Sequence, residues 1–242
     1  MLSAEKNERI KMKSKNKTLK RIFTVIAVLL IVAGVCVALF PQVSNAVYEK
    51  NVDAMEQEFT SQSGDKYDEL FAELTKRNEE MFASDQSGLE DPFSYEDSDI
   101  DLTKYGIKDG VIGFVYIPKM DVKLPIVFGA SKENLLKGAA HMTNTSYPIG
   151  GNNTNSVLAA HRGWNRAKMF RHIELLEVGD KVYVENFREK LTYKVAKIEI
   201  IYPDDVDKLK IQPDKDMLTL ITCHPYRVNN RRYVVYCEAD CR

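Results

Sequence analysis

A mainly β fold, closed into a barrel and preceded by helices, is what this chain of 242 residues predicts. Two patterns point to it. After Gly110 the apolar residues fall in short runs, several of them alternating with polar neighbours, as strands with one buried face do. Before Ala83 they recur at helical spacing instead. Many short strands with few helices among them favour closure into a barrel. A third observation adds an anchor. Ile22 to Phe40 is an uncharged apolar run of 19 residues, close to the roughly 20 that cross hydrocarbon as a helix.

The elements follow in chain order. Residues 1–21 form a basic tail with no packed core, carrying Lys6, Arg9, Lys11, Lys13, Lys15, Lys17, Lys20 and Arg21. Positive charge before the apolar run places the N-terminus in the cytoplasm, and residues 22–40 then span the membrane with the remainder outside the cell. The competing reading is a cleaved signal peptide, with Ser44 and Ala46 as small residues for cleavage. The apolar run is longer than such a peptide's core of roughly 7 to 15 residues, which favours an uncleaved anchor.

Residues 41–83 read as a helical region. Val52, Met55 and Phe59, then Tyr67, Leu70, Phe71 and Leu74, mark apolar stripes. Ser61 to Gly64 interrupts them, so two helices are expected, stacked on the barrel and holding it off the membrane. Residues 84–101 change character, with seven acids, few apolar residues and an Asp91-Pro92 break. An extended loop is expected there, a linker or a lid, and composition alone favours the linker.

Residues 102–242 hold the strands. Ser156 to Ala160 is one apolar run. Val182 and Val184, then Leu191, Tyr193 and Val195, alternate after a turn at Gly179-Asp180. Met217 to Thr222 and Tyr233 to Tyr236 form the last two. Only Lys132 to Lys137 and Ala167 to Leu176 read as short helices in this half.

Composition excludes some functions. The chain is 44% hydrophobic and 29% charged, with 34 basic and 35 acidic residues. Setting aside the eight bases and two acids before Ile22 leaves 26 bases against 33 acids, about −7 for the outer part. So acidic a surface argues against nucleic-acid binding. Four cysteines make no disulfide scaffold in a domain of this size. Cys36 lies in the apolar run, while Cys237 and Cys241 either pair outside the cell or remain two unpaired thiols. The four histidines include no i, i+4 pair, and one cysteine lies near them, which argues against a metal centre.

The chemistry sits at strand ends. Met217 to Tyr226 (MLTLITCHPY) delivers the thiol of Cys223 to the end of an apolar run, and Arg232 opens the next run nine residues later. His161 closes the run Ser156 to Ala160. A thiol, a base and a cation are what acyl transfer needs: a nucleophile, a proton carrier for the leaving amine, and positive charge for the oxyanion. Each residue has a plainer account. A cysteine ending a hydrophobic strand is more often a small buried hydrophobe, and a lone histidine there is often a satisfied polar group. His141 reads as loop or core, His172 as part of a short helix surface, and Arg162 as pointing away from His161 if the strand continues.

The segment Thr219-Leu220-Ile221-Thr222-Cys223 with Arg232 resembles the signature of sortases, membrane-tethered transpeptidases of Gram-positive bacteria. Gly113 to Gly129 is similar to the first two strands of that fold. Asn144 to Gly151 leading to Ala160-His161-Arg162-Gly163 is similar to its histidine strand. The stretch Cys223 to Arg232 looks most like class C, the pilin-polymerising branch, whose lid motif finds a match in Asp91-Pro92-Phe93. Class C members often carry a second, C-terminal membrane helix, and the sequence up to Arg242 shows none.

The resemblance implies a closed eight-stranded barrel and assigns roles. Cys223 attacks the Thr–Gly carbonyl of a sorting motif similar to Leu-Pro-x-Thr-Gly, His161 protonates the departing amine, and an incoming amine resolves the thioester. The nine-residue spacing selects Arg232 over Arg231 for the oxyanion. No metal or organic cofactor is implied. The partners implied are sorting-motif-bearing surface or pilin proteins and an amine acceptor, a pilin lysine in class C or a cell-wall cross-bridge amine otherwise. Asp91 would pair with Arg232 and Phe93 would cover Cys223, closing the site at rest. The alternatives are a wall-anchoring sortase, a cysteine hydrolase, and a membrane-anchored binding or assembly module.

Overall fold

Eight strands close on themselves in the computed structural model, which describes residues 2–61, 66–84, 86, 88–96, 100–107, 109–163 and 167–240. They are β1 (Val111–Ile117), β2 (Val122–Phe128), β3 (Ala139–His141), β4 (Thr154–Ala159), β5 (Lys181–Asn186), β6 (Lys190–Ile201), β7 (Asp216–His224) and β8 (Arg231–Ala239). Around the barrel the order is β1-β2-β3-β4-β7-β8-β6-β5, with β5 pairing back to β1. β2–β3 and β4–β7 run parallel and the other neighbours antiparallel. The expectation of a mainly β, closed, eight-stranded barrel holds.

Alternation along the strands builds two apolar layers. Leu158, Ala160, Val182, Val184, Leu218, Leu220 and Val235 share one cluster, which fills the interior. Residues of opposite parity, Val157, Ala159, Met217, Ile221, Val234 and Tyr236, form a second cluster on the outer surface. There Leu135 of α3 (Lys132–Lys137), Leu89 and Phe93 cover them.

The helical region departs from expectation in its boundaries. α1 runs unbroken from Leu2 to Ser61, so the basic tail, the apolar run and the first expected helix form one helix of 60 residues, with Pro41 inside it. Once begun, a helix extends cheaply residue by residue, and the tail's lysines are good helix formers. α2 covers Lys66–Ala83. The expected interruption at Ser61 to Gly64 lies, apart from Ser61, outside the described residues.

The chain divides into two compact units, Met1–Ala46 and Val47–Arg242. Within α1, Leu19–Ser61 includes an 18-residue window with mean hydropathy 3.1, none of it buried. In the second unit, Val52 packs with Val111, Phe114 and Val127, and Met55 and Phe59 lie against them. Tyr67, Leu70 and Leu74 of α2 join the interior cluster. Buried Asn78 ties α2 to the segment before β4 by accepting from Tyr147 N at 2.8 Å. The part of α1 after Ala46 and the whole of α2 thus pack on the barrel.

One smaller expectation fails. Ala167 to Leu176 forms turns with a single 3₁₀ turn, Ile173–Leu175, instead of a helix. Its apolar spacing reflects burial of Ala167, Met169, Phe170 and Ile173 beneath a loop, and Met169 takes a positive φ of 44° that an α-helix forbids. Of the two alternatives left open for Cys237, the unpaired one is seen: it is fully buried in β8 as a free thiol. Cys241 lies outside the described residues.

Candidate active site

Strand register brings the candidate residues together. Cys223 on β7 and Arg232 on β8 are direct cross-strand partners. β4 pairs in parallel with β7 as far as Ala159 opposite Ile221. Two positions further along each chain stand His161 and Cys223. The two chains stay tied up to that point, because Ala160 N donates to Ile221 O at 3.2 Å and Thr222 Oγ1 donates to Ala160 O at 2.6 Å.

Parity then puts all three side chains on one surface. His161 follows Val157 and Ala159, Cys223 follows Met217 and Ile221, and Arg232 precedes Val234 and Tyr236, every one of the latter in the outer cluster. The site therefore lies on the outer surface of the β4–β7–β8 sheet, at the ends of its strands. Ile201 of β6 flanks Arg232 on its other side.

His161 is held by its backbone. Its carbonyl accepts from Gly163 N at 2.8 Å and from Phe170 N at 3.1 Å. The first bond needs a tight turn, which Gly163 allows with φ at 90°, and a Cβ there would press on the Arg171 stem at 3.1 Å. This explains the glycine of the Ala-His-Arg-Gly sequence.

Arg232 is the most constrained of the three, with 7% of the residue exposed. Its Nε and Nη2 donate to the two carboxylate oxygens of Asp91, both at 2.6 Å. Nη1 donates to the carbonyls of Asn229 at 3.0 Å and Arg231 at 2.9 Å. Arg231 turns the other way, its guanidinium 3.3 Å above the Tyr202 ring. The two arginines thus face opposite sides, as strand geometry requires, and Arg232 is the one beside Cys223.

Electrostatics describe a site at rest. Burial pushes the Cys223 thiol up from its ordinary value; Arg232 pulls it down, and Asp91 adds to the rise. Burial lowers His161. For Arg232 burial acts downward, but the Asp91 hydrogen bonds and charge leave it above its ordinary value. Both the thiol and the imidazole are thus biased toward their neutral forms.

Asp91 and Phe93 of the acidic segment lie against these side chains. Pro92–Ser94 form a 3₁₀ turn with Pro92 buried. The Phe93 ring centroid lies 6.2 Å from that of His161 and 5.0 Å from the Arg232 guanidinium carbon. The expected Asp91–Arg232 pair is therefore present, and Phe93 stands over His161 and Arg232.

The segment is also tied down by residues that belong to no motif. Buried Gln86 donates to Asn144 O at 3.2 Å and accepts from Ile211 N at 2.8 Å. Asn144 Nδ2 donates to Gly88 O at 2.9 Å, and Thr143 donates to the Glu96 carboxylate. Residues 85, 87 and 97–99 of the segment lie outside the described residues.

His141 and His172 stand apart. His141 is buried in β3, its Nε2 3.0 Å from Ser146 O, with its ring stacked on Phe128 and Tyr147. His172 is exposed at the start of the 3₁₀ turn. Among the described residues no group of three or more His, Cys, Asp or Glu could hold a metal ion.

Residues 115–240 match the Sortase domain family. The chain is 35% identical over 127 residues to Sortase D of Bacillus subtilis (strain 168), which spans 51% of this chain and 61% of that protein. Sortase C1 of GBS Pilus Island 1 superposes with a TM-score of 0.72 at 30% identity, covering 80% of this chain and 92% of that one. Sortase C from Clostridium perfringens SM101 superposes with a TM-score of 0.65 at 33% identity, covering 80% and 99%. The solved structures it resembles include class C sortases.

Proposed function

The chain belongs to the sortase family of cysteine transpeptidases, and on that footing we propose that it cleaves a sorting motif similar to Leu-Pro-x-Thr-Gly between Thr and Gly and passes the acyl group to a pilin lysine. Cys223 is the nucleophile, His161 the proton carrier and Arg232 the oxyanion donor. The observation that carries this reading is the outward-facing row of His161, Cys223 and Arg232, with a carboxylate already seated on the guanidinium. The pilin acceptor is supported by the likeness to the sortase of a pilus island.

The chemistry runs as two acyl transfers. The Cys223 thiolate attacks the Thr carbonyl carbon, and the oxygen takes on negative charge that Arg232 receives through its Nε and Nη2 donors. Collapse breaks the C–N bond, with the proton on His161 going to the departing glycine amine. The thioester is then attacked by the incoming amine, which gives a proton to His161, and Cys223 leaves as the new amide forms. A guanidinium suits the oxyanion role because it stays charged and offers a planar fork of donors.

Asp91 stands in for the oxyanion in the resting site. Its two oxygens occupy the donors that the reaction needs, so residues 84–101 act as a lid that must lift before the substrate carbonyl binds. Residues 1–21 remain in the cytoplasm, 22–40 anchor the chain, 41–83 carry the barrel outside the cell, and 102–242 form the catalytic domain.

The test is intact-mass measurement of the full chain mixed with a peptide bearing the sorting motif. The expected result is a mass gain equal to the acyl fragment on Cys223, converted to a peptide–amine product when a lysine donor is added. Absence of any adduct, in the Asp91→Ala variant as well as the parent, would overturn the reading.

A further inference from the structure

Behind the candidate catalytic residues lies a second pair. Arg162 follows His161 and His224 follows Cys223, and these two side chains meet across the ends of β4 and β7. Thr222, Tyr233 and His224 share the parity of the interior residues Leu218, Leu220 and Val235, which places this pair at the mouth of the barrel. There Arg162 Nη1 donates to His224 Nδ1 at 2.6 Å. Because a guanidinium cannot accept, the imidazole must be neutral at Nδ1.

The pair is braced. Arg162 Nη2 donates to the Glu174 carboxylate at 2.9 Å, and only 9% of the Arg162 side chain is exposed. Its guanidinium carbon lies 5.6 Å from the Tyr233 ring centroid, and the His224 ring lies 5.6 Å from the same centroid. Tyr233 is the β8 partner of Thr222, so the aromatic floor is itself fixed in register.

The location gives the bond its meaning. β4 ends at Ala159, whereas β7 continues to His224. The bonds at Ala160 are the final backbone and hydroxyl ties described above, and His161 stands one residue past them. The Arg162–His224 bond crosses between the same two chains one residue further on. His161 and Cys223 are thus bracketed, with a tie before them and a tie after them.

We propose that Arg162 and His224 are positioning residues, a strut across the barrel mouth that sets the separation between the His161 imidazole and the Cys223 sulfur. The proposal rests on the reading of Cys223 as nucleophile and His161 as proton carrier. Neither strut residue touches the substrate. A short bond with a charged donor resists stretching, so it fixes the two backbones from the rear while the front stays open to the peptide. Proton transfer is sensitive to distance, and a displacement of about 1 Å costs roughly 100-fold in rate.

The experiment compares transpeptidation by the full chain in an Asp91→Ala background, so that lid opening does not limit turnover. Rates are expressed per alkylatable Cys223 thiol, which removes any misfolded fraction. Arg162→Gln and His224→Ala should lower kcat by between about 10-fold and 100-fold with KM little changed. His224→Asn, whose amide oxygen can take the place of Nδ1, should recover most of the loss, and Arg162→Lys part of it.

A merely structural role would lower the melting temperature without changing kcat per thiol. Unchanged kcat in Arg162→Gln and His224→Ala, or a His224→Asn variant as slow as His224→Ala, would overturn the strut. Cys223→Ala separates the two readings. If it still forms product, the catalytic assignment fails and the strut with it; if it is inactive while the strut variants match the parent, only the strut fails.

Discussion

Asp91 and Arg232 lie 141 positions apart in sequence, yet both carboxylate oxygens of the first sit 2.6 Å from nitrogens of the second. A planar carboxylate on a planar guanidinium is the strongest geometry open to such a pair. Holding it over a proposed oxyanion site makes it a block as well as a tie.

Replacing Asp91 and Phe93 with alanine is expected to speed alkylation of the Cys223 thiol. The pair loses its acid, and the ring over His161 and Arg232 is removed. Iodoacetamide labelling followed by intact mass provides the rate. Equal rates in the variant and parent would return residues 84–101 to the role of a linker.

Asp91→Ala alone carries a pH signature. In the parent, thiol reactivity should rise with pH around a midpoint above the ordinary cysteine value, because burial, reinforced by the Asp91 charge, disfavours the thiolate against the pull of Arg232. Asp91→Ala removes a negative charge, so the thiolate forms more readily and the midpoint moves down. Arg232→Gln removes a positive charge, and its midpoint moves up. A pH series of labelling rates checks both signs.

Arg232→Gln should also lower transpeptidation by roughly 100- to 1,000-fold, the usual cost of losing an oxyanion donor. Arg231→Gln should leave it nearly unchanged, since that guanidinium stacks on Tyr202 away from the thiol. Comparable losses in the two variants, measured by peptide-transfer kinetics, would refute the distinction.

Leu74→Ala tests whether α2 is structural to the barrel unit. The side chain is fully buried in the interior cluster, so truncation should cost about 2–5 kcal/mol. Val178→Ala, at a position 69% exposed, should shift stability by no more than about 0.5 kcal/mol. Denaturant melts of the two variants make the comparison.

Much of this architecture was legible because it is encoded locally. The runs ending at Cys223 and opening at Arg232 are strands that pair through a short loop, so spacing alone predicts their adjacency. Alternation at Val182, Val184, Leu191, Tyr193 and Val195 likewise survives into β5 and β6.

What stayed hidden depends on partners distant in sequence. The apolar residues from Ala167 to Leu176 mimic a helix because a buried loop also needs periodic anchors. Arg162 was expected to face away from His161, but that its target is His224, 62 residues on, follows only once β4 and β7 are known to run in parallel. Gln86, Asn144 and Thr143 are ordinary polar residues whose ties to residues 86–96 appear only when three loops meet.

Closure of the barrel has a consequence for how a polypeptide can be gripped. Many proteins seize extended peptides by adding them as one more strand along an unpaired sheet edge. Here every strand has a neighbour on each side, so no strand offers a wholly free edge. The proposed sorting peptide would instead depend on its side chains and on the loops above the strand ends, which makes those loops the part of the molecule free to diverge as cargo changes.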